Sequence, residues 1–279
     1  MSGIKFDKSS IPDLAGRVLL VTGGTGGIGA EIVVELAKHN PGRIFFTGRN
    51  AEAAEKTVEH IKAVAPNVVT TFVTCDLANL ATVRHAADKI LAETPRLDLF
   101  LANAGIMAKP AGLSTDGYEV HFATNHMGHA LLTKKLLPLL EQTADLPDSD
   151  ESAILGRWVR YSNSKLANML YARELARRHP KLLSFSVHPG AVETGLVNDL
   201  KFTDRLFVRV SMMGQMVSVE EGTFNHLWAV SAPRDSIKQG GFYEPVGFFS
   251  SEDGAIAKEK KFAEKLWEYT EEELETWMH

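Results

Sequence analysis

The sequence predicts an α/β fold in which helices cover both faces of a doubly wound parallel sheet, contained in a single domain of residues 1–279. Short apolar and β-branched runs alternate with helix-forming segments through the first two-thirds of the chain, as repeated β–α–β units require. No internal repeat, low-complexity stretch or linker divides the 279 residues, and a hydrophobic content of 44% suffices for one core.

The first strand and helix enclose a glycine-rich turn that predicts a phosphate-binding site. Residues 18–21 are continuously apolar, as in a strand buried on both faces, and Gly23, Gly27 and Gly29 then lead into a helix that begins near Ile28. Such a turn exposes backbone N–H groups, and the positive end of the helix dipole favours a pyrophosphate. A glycine-rich surface turn is the simpler alternative, but the flanking strand and helix favour a dinucleotide site.

The later elements continue the alternation. Strands are predicted over residues 43–47, 68–74, 97–102 and 182–188, and helices over 51–65, 80–93, 118–140 and 158–178. A late edge strand follows Gly241, and the charged, amphipathic residues 258–277 predict a C-terminal helix. Ligands of open parallel sheets lie across the carboxyl ends of the strands, so the residues at those ends are the informative ones.

Three of these strand ends carry candidate cofactor-binding residues. Arg49 closes the second strand, where an NAD-selective site would place a carboxylate, and its guanidinium suits the 2′-phosphate of NADP(H). The alternative for Arg49 is a solvated loop arginine. Asp76 follows the third strand and could accept a hydrogen bond from an adenine amino group. Asn103 follows the fourth, where small neighbours let backbone and cofactor approach closely.

A tyrosine and a lysine on one predicted helix suggest proton transfer. Tyr161 and Lys165 are four residues apart, which places them on one face of a helix. A nearby ammonium favours phenolate and lowers the pKa of the tyrosine, so Tyr161 could exchange a proton with a carbonyl or alcohol group. Many helices contain this spacing by chance, and its value here comes from its position downstream of a dinucleotide turn.

Taken together, these motifs resemble the short-chain dehydrogenase/reductase superfamily, which implies a Rossmann-type fold. The resemblance rests on Thr22-Gly-x-x-x-Gly-x-Gly29, Asp76-Leu77, Asn103-Ala104-Gly105, Tyr161-x-x-x-Lys165 and Pro189-Gly190-x-x-x-Thr194. The segments Asn125-His126-Met127-Gly128-His129 and Lys165-Leu166-Ala167-Asn168 further resemble the retinol-dehydrogenase-like branch, particularly its soluble fungal members. The implied activity is oxidoreduction of a small-molecule carbonyl or alcohol with NADP(H).

The resemblance also implies roles for individual residues. Tyr161 would be the acid/base, Lys165 would tune it and bind the nicotinamide ribose, and Asn125 would hold a water of the proton relay. The implied cofactor-binding set is Gly23, Thr25, Gly27, Ile28, Gly29, Arg49, Asp76, Leu77, Asn103, Tyr161, Lys165, Pro189, Val192 and Thr194, the last three beside the nicotinamide. Residues 195–217 would form a substrate lid, and homo-oligomerisation through helices 118–140 and 158–178 is possible.

One feature of the family pattern is expected to be missing. The family has a strand before the tyrosine-bearing helix that ends in a serine, which polarises the substrate carbonyl. Residues 141–158 contain no β-branched apolar run, so we expect this strand to be absent. Ser149 and Ser152 are the candidate serines, although a solvated loop is the simpler use of each. The alternative function is therefore a catalytically impaired dinucleotide-binding protein, either a sensor or scaffold or a truncated gene product.

Composition narrows the function classes further. The net charge of −5 argues against a nucleic-acid partner, and the single cysteine, Cys75, excludes an internal disulfide and a thiolate metal site. His121, His126 and His129 lie close together without a carboxylate at matching spacing, so no metal site is predicted. Neither a signal peptide nor an apolar run of about 18 residues is recognisable, and we expect a cytoplasmic protein that does not span a membrane.

Overall fold

A computed structural model of the chain describes residues 5–107, 109–146, 153–156, 161–192, 216–250 and 260–279. The strands are β1 (Val18–Thr22), β2 (Arg43–Gly48), β3 (Val69–Thr74), β4 (Leu99–Leu101), β5 (Ala153–Gly156), β6 (Leu183–Val187), β7 (Ala191–Val192), β8 (Met216–Val217), β9 (Phe242–Glu244) and β10 (Phe248–Phe249). The helices are α1 (Gly27–Ala37), α2 (Ala51–Val64), α3 (Leu80–Glu93), α4 (Val120–Phe122), α5 (Gly128–Ala144), α6 (Tyr161–Arg178), α7 (Val219–Ser231) and α8 (Lys260–Leu274).

Within the described ranges, eight strands form one sheet in the order β10–β9–β6–β5–β4–β1–β2–β3. All neighbouring pairs are parallel except β10 with β9, while β7 and β8 pair separately. The chain runs outward from β1 through β2 to β3 and then returns to the other side of β1 at β4. The carboxyl ends of β1 and β4 therefore flank the crevice where such sheets bind ligands. The predicted α/β doubly wound fold is confirmed.

The predicted absence of a strand before α6 is wrong. Ala153–Gly156 forms β5, which pairs in parallel with β4 through Ile154 opposite Phe100 and with β6 through Ile154 opposite Ser184. An empty slot would leave the backbone groups of two central strands unpaired, each at a cost of about 1–3 kcal/mol. Four residues supply the missing partners, although they lack the β-branched run that predicts a strand. Ser149 and Ser152 lie outside the described residues.

The central strands of the sheet are buried on both faces, as adjacent residues of β1 show. Leu20 packs with Phe45 and Phe100 in one apolar cluster under α3 and α5, whereas Leu19 belongs to a second cluster with Ile32 under α1 and α7. Successive side chains of a strand point to opposite faces, so a continuous apolar run supplies both clusters. Burying each such side chain contributes roughly 1.5–3 kcal/mol, which holds the strand ends in register.

The helix predicted over residues 118–140 is interrupted before α5. A π-helical segment, Ala123–Met127, joins α4 to α5, and the Gly128 N–H donates to the Ala123 carbonyl five residues earlier. Gly128 also lies against the loop after β3, so closely that a Cβ at this position would collide with the Leu77 carbonyl. The segment carries Asn125, so the irregular turn lies next to a predicted functional residue. Such π segments are frequently found at functional sites.

The C-terminal helix α8 covers one side of α6 and the π-helical segment. Trp267 stacks on Tyr171 with ring centroids 4.9 Å apart, and the Arg178 guanidinium lies 4.9 Å from the Trp267 ring centroid. The Thr270 hydroxyl lies 3.0 Å from the Nε2 of His126. This packing occupies a face of the helices through which homo-oligomerisation was expected, and the oligomeric state stays a prediction.

Removing the Trp267 side chain tests how firmly α8 is held. We expect Trp267→Ala to lower the free energy of unfolding by about 3–5 kcal/mol, because the ring is 8% exposed and the surrounding side chains cannot refill its volume. Phe262 on the same helix is 46% exposed, so Phe262→Ala is the matched control with a change within about 0.5 kcal/mol. Equal denaturant midpoints for the two variants would contradict the packing of α8.

Candidate active site

A cleft of about 370 Å³ opens at the carboxyl ends of β1, β2, β3 and β4. It is lined by the glycine-rich turn and by the residues that follow these strands, namely Gly23, Thr25, Gly26, Gly27, Ile28, Gly29, Thr47, Gly48, Arg49, Cys75, Asp76, Leu77, Asn103, Ala104, Gly105, Ile106 and Thr124. The structure therefore brings together the predicted residues from four separate strand ends. The binding role of each of them stays a prediction.

The N-terminus of α1 lacks the side-chain cap that α2, α3 and α7 have. Asn50, Asn79 and Ser218 cap α2, α3 and α7 with side-chain oxygens. At α1 the N-cap is Gly26, and among the described residues no side chain caps its free N–H groups. The first turn of a helix leaves these donors without partners in the helix, and they suit an anion. The uncapped end of α1 therefore fits a phosphate group in the cleft.

Close backbone contact fixes the turn between β1 and α1. A Cβ at Gly29 would collide with the Gly23 carbonyl and with the Asn103 side-chain amide. The Asn103 amide donates to the Thr22 carbonyl at 2.9 Å, which joins the ends of β1 and β4. Its Oδ1 is buried, with no hydrogen-bond donor among the residues that the structure describes. A buried acceptor without a donor is costly, and a hydroxyl or amide of a bound cofactor would satisfy it.

The other strand ends bring charge and an apolar wall to the cleft. Arg49 is exposed at the end of β2, while the Asp76 carboxylate after β3 accepts from the Ala78 N–H at 3.0 Å. Leu77 is buried beside Asp76. Burial, and then the neighbouring Asp76 carboxylate, raise the pKa of the Cys75 thiol to about 12, so this cleft residue stays a neutral thiol at physiological pH.

Asn125 joins the wall of the cleft to α6. Its Oδ1 accepts from the Ile106 N–H at 2.8 Å, and its Nδ2 donates to the Ile106 carbonyl and to the Ser164 hydroxyl, each at 3.0 Å. Ile106 lines the cleft, and Ser164 lies between Tyr161 and Lys165 on α6. Asn125 is fully buried, so these bonds fix the helix against the cleft. Whether Asn125 also holds a relay water stays a prediction.

The remaining predicted residues are placed in part. Tyr161 is the first residue of α6 and Lys165 lies one turn later, with only their backbone described. Pro189 follows β6, and Val192 in β7 packs against Gly222 of α7. Thr194 and most of the expected lid, residues 195–217, lie outside the described residues.

Asn225 was missed by sequence reasoning. Its side-chain amide donates to the carbonyls of His188 and Tyr243 at 2.8 and 2.9 Å, which fixes the carboxyl ends of β6 and β9. A single asparagine on a helix carries no motif that could have indicated this role.

The three neighbouring histidines use their ring nitrogens in hydrogen bonds inside the protein. His121 bonds to Glu119 at 2.7 Å, His126 to Asn168 and Thr270, and His129 to Thr22 at 2.8 Å. Burial would raise the pKa of the Glu119 carboxyl, but its hydrogen bonds, led by that to His121, outweigh burial and hold this pKa below its ordinary value. Among the described residues, no group of three or more His, Cys, Asp or Glu side chains is placed to hold a metal ion.

Known proteins resemble the chain along most of its length. The sequence model of the family named short chain dehydrogenase matches residues 17–204. The short-chain dehydrogenase/reductase drtF of Aspergillus calidoustus is 30% identical over 95% of this chain and 96% of its own. Human retinol dehydrogenase 11 is 34% identical over 70% of this chain and 67% of its own. The crystal structure of NADPH-bound carbonyl reductase from chicken fatty liver covers 90% of this chain and 99% of its own, with a TM-score of 0.69 and 22% identity.

The helices bear on whether the chain could span a membrane. In the part of the chain that the structure describes, none is both long and apolar enough to cross a membrane.

The close contact at Gly29 predicts a specific loss of cofactor binding. We expect Gly29→Ala to weaken binding of NADPH, measured by nucleotide fluorescence, at least about tenfold, because the new methyl group forces the Gly23 carbonyl and the phosphate-binding turn apart. The control is Gly112→Ala, where a Cβ meets nothing within 4 Å. Unchanged nucleotide affinity in Gly29→Ala would show that this turn does not form the binding site.

Proposed function

We propose that this chain is an NADP(H)-dependent oxidoreductase acting on a carbonyl/alcohol pair. The chain belongs to the short-chain dehydrogenase/reductase family and to its retinol-dehydrogenase-like branch. Family membership supports oxidoreduction, whereas the cofactor, the substrate and the residue roles are part of the proposal. Its partner is a small carbonyl or alcohol compound, and we expect it to act in the cytoplasm.

One observation carries the proposal: a buried asparagine ties the cofactor cleft to the helix that bears Tyr161. Asn125 bonds to both backbone groups of Ile106 in the cleft wall and to Ser164 in the first turn of α6. Binding alone needs the glycine turn and the strand ends, but it does not need α6 to be held in this way. A fixed relation between cleft and helix is what proton transfer at a bound substrate requires.

The cleft residues fit a dinucleotide, which would supply or accept a hydride at its nicotinamide when bound. The uncapped N-terminus of α1 would hold the pyrophosphate, and Asn103 has a buried oxygen that a ligand donor would satisfy. Arg49 favours NADP(H) over NAD(H), since a guanidinium pairs with a 2′-phosphate. The solved carbonyl reductase from chicken, whose fold is similar, holds NADPH in its crystal structure.

Tyr161 would exchange the proton that accompanies hydride transfer. In reduction, its phenol O–H donates to the carbonyl oxygen as negative charge develops there, and in oxidation the phenolate removes the alcohol proton. The Lys165 ammonium, one helical turn away, would stabilise the phenolate and bring the pKa of Tyr161 closer to neutral pH. This division of roles requires only residues of one helix, whose position Asn125 fixes.

The serine that the family pattern places at the end of this strand has no counterpart in the sequence that follows β5. From Gly156 to Tyr161 the chain reads Arg-Trp-Val-Arg, which contains no hydroxyl side chain. Polarisation of the substrate carbonyl would then depend on Tyr161 itself. The rival proposal of a dinucleotide-binding protein without catalysis predicts tight NADPH binding and no turnover with any aldehyde or ketone.

Substitution of Arg49 tests the choice of nucleotide. We expect Arg49→Gln to weaken NADPH binding about tenfold and to leave NADH binding nearly unchanged, because only NADPH carries the 2′-phosphate. Arg43 lies at the opposite end of the same strand and bonds to Glu93, so Arg43→Gln is the matched control. Equal losses for both nucleotides in Arg49→Gln would contradict the NADP(H) assignment.

Substitution of Tyr161 tests the acid/base role. Purified protein should oxidise NADPH, followed at the nicotinamide absorbance, with some member of an aldehyde and ketone panel that includes retinal. We expect Tyr161→Phe to lower kcat at least about 100-fold while the NADPH Kd rises by no more than about threefold, since the hydroxyl lost is the proton donor and only one of many implied cofactor contacts. Tyr269→Phe on the exposed side of α8 is the control. An unchanged rate in Tyr161→Phe would rule out this mechanism.

A further inference from the structure

His129 lies between the dinucleotide end of the sheet and the π-helical segment. Its Nε2 is 2.8 Å from the Thr22 hydroxyl at the end of β1, and its Nδ1 is 3.1 Å from the Asn125 carbonyl. The ring is 5% exposed, so both bonds are shielded from water. The His129 side chain thus joins the end of β1 to the π-helical segment, which are far apart in the sequence.

The chemistry of two partners among the described residues, the Asn125 carbonyl and the Thr22 hydroxyl, fixes the tautomer of His129. A carbonyl oxygen can only accept, so the proton lies on Nδ1 and Nδ1–H donates to Asn125. In the neutral ring Nε2 then accepts, and the Thr22 hydroxyl donates to it. The same hydroxyl oxygen accepts from the Ala104 N–H at 3.0 Å. The alternative acceptor for Thr22, the Leu101 carbonyl, is more distant at 3.4 Å.

The Thr22 side of this connection reaches the cofactor cleft. Ala104 lines the cleft between Asn103 and Gly105, and its N–H is held by the hydroxyl that His129 orients. A hydroxyl fixed as donor toward His129 has its lone pairs directed at Ala104. Loss of the ring acceptor would let the hydroxyl rotate and would loosen this wall of the cleft.

The Asn125 side of the connection reaches α6. The carbonyl that accepts from His129 also accepts from the Asn168 amide at 2.9 Å, while the Asn125 side chain bonds to Ser164. Ser164 and Asn168 are one turn apart on α6, in the same two turns as Tyr161 and Lys165. A shift of the Asn125 backbone would therefore change how this helix is held against the cleft.

We propose that His129 is a positioning residue that couples the cofactor end of the sheet, through Thr22, to the helix bearing Tyr161, through the Asn125 carbonyl. The coupling rests on the proposed oxidoreductase function, and it assigns a separate consequence to each ring nitrogen. The Nε2 bond supports cofactor affinity, and the Nδ1 bond supports turnover.

Two amide substitutions separate the two nitrogens. The Asn amide overlays Nδ1, so His129→Asn keeps a donor to the Asn125 carbonyl and loses the acceptor for the Thr22 hydroxyl. The Gln amide reaches the position of Nε2, so His129→Gln keeps an acceptor for the Thr22 hydroxyl and loses the donor to the Asn125 carbonyl. We expect His129→Asn to raise the NADPH Kd by about threefold to tenfold with kcat within about twofold. We expect His129→Gln to lower kcat by about threefold to tenfold with the NADPH Kd within about twofold.

Control variants distinguish these separate effects on Kd and kcat from a general loss of packing. His85 is exposed on α3, and His85→Asn and His85→Gln should change neither Kd nor kcat. Thr22→Val removes the hydroxyl from the other side, so His129→Asn added to Thr22→Val should weaken NADPH binding by less than twofold further. Losses of Kd and kcat in equal proportion in both His129 variants, or none beyond the His85 controls, would overturn the proposal.

The tautomer can be measured without any substitution. In the full-length wild-type protein labelled with nitrogen-15 at histidine, we expect the His129 ring to carry its proton on Nδ1 and its signals to shift when NADPH is added. A proton on Nε2 instead would overturn the assignment even if the variants fail to fold. Absence of turnover in the wild type would contradict the proposed function alone, because the nucleotide affinities and the tautomer still test the coupling.

Discussion

The turn between β1 and α1 depends on a contact that only glycine permits. At Gly29 the helix backbone lies against the Gly23 carbonyl and the Asn103 amide, where a methyl group would find no room. The contact directs the uncapped end of α1 into the cleft and holds the ends of β1 and β4 together through the bond from Asn103 to Thr22. Every other proposed cofactor contact is positioned relative to this turn.

From the turn, buried hydrogen bonds extend to the part of the molecule where chemistry is proposed. Thr22 bonds to His129, His129 to the Asn125 carbonyl, and Asn125 to Ser164 on α6. Each group is buried, so an unmade bond would cost more than at the surface. These bonds therefore hold the sheet end and the helix in one arrangement, which oxidoreduction needs and dinucleotide binding without catalysis does not.

Much of the fold could be predicted because strand burial and glycine spacing are local signals. Residues 18–21 are apolar without interruption since both faces of β1 are covered, and Arg49, Asp76 and Asn103 follow strands that the sequence shows. β5 could not be predicted in this way. Its pairing is imposed by β4 and β6, which require a partner whatever its β-propensity.

Side-chain networks were beyond sequence reasoning for a different reason. His129 bonds to Thr22 and Asn225 bonds to Tyr243, each pair more than 15 positions apart, and no spacing in the sequence records such partners. The π-helical segment likewise has no sequence signal in this chain, although it determines where the Asn125 carbonyl lies. Long-range geometry decides these roles.

Transfer of deuterium from the cofactor is the most direct test of hydride transfer in this protein. The protein would be incubated with NADPH deuterated at both C4 positions and with the best carbonyl substrate of the panel, and the alcohol analysed by mass spectrometry. Hydride transfer predicts one deuterium on the carbinol carbon of every product molecule. Bound NADPH with no deuterated alcohol from any substrate would contradict it and would favour a nucleotide-binding protein without catalysis.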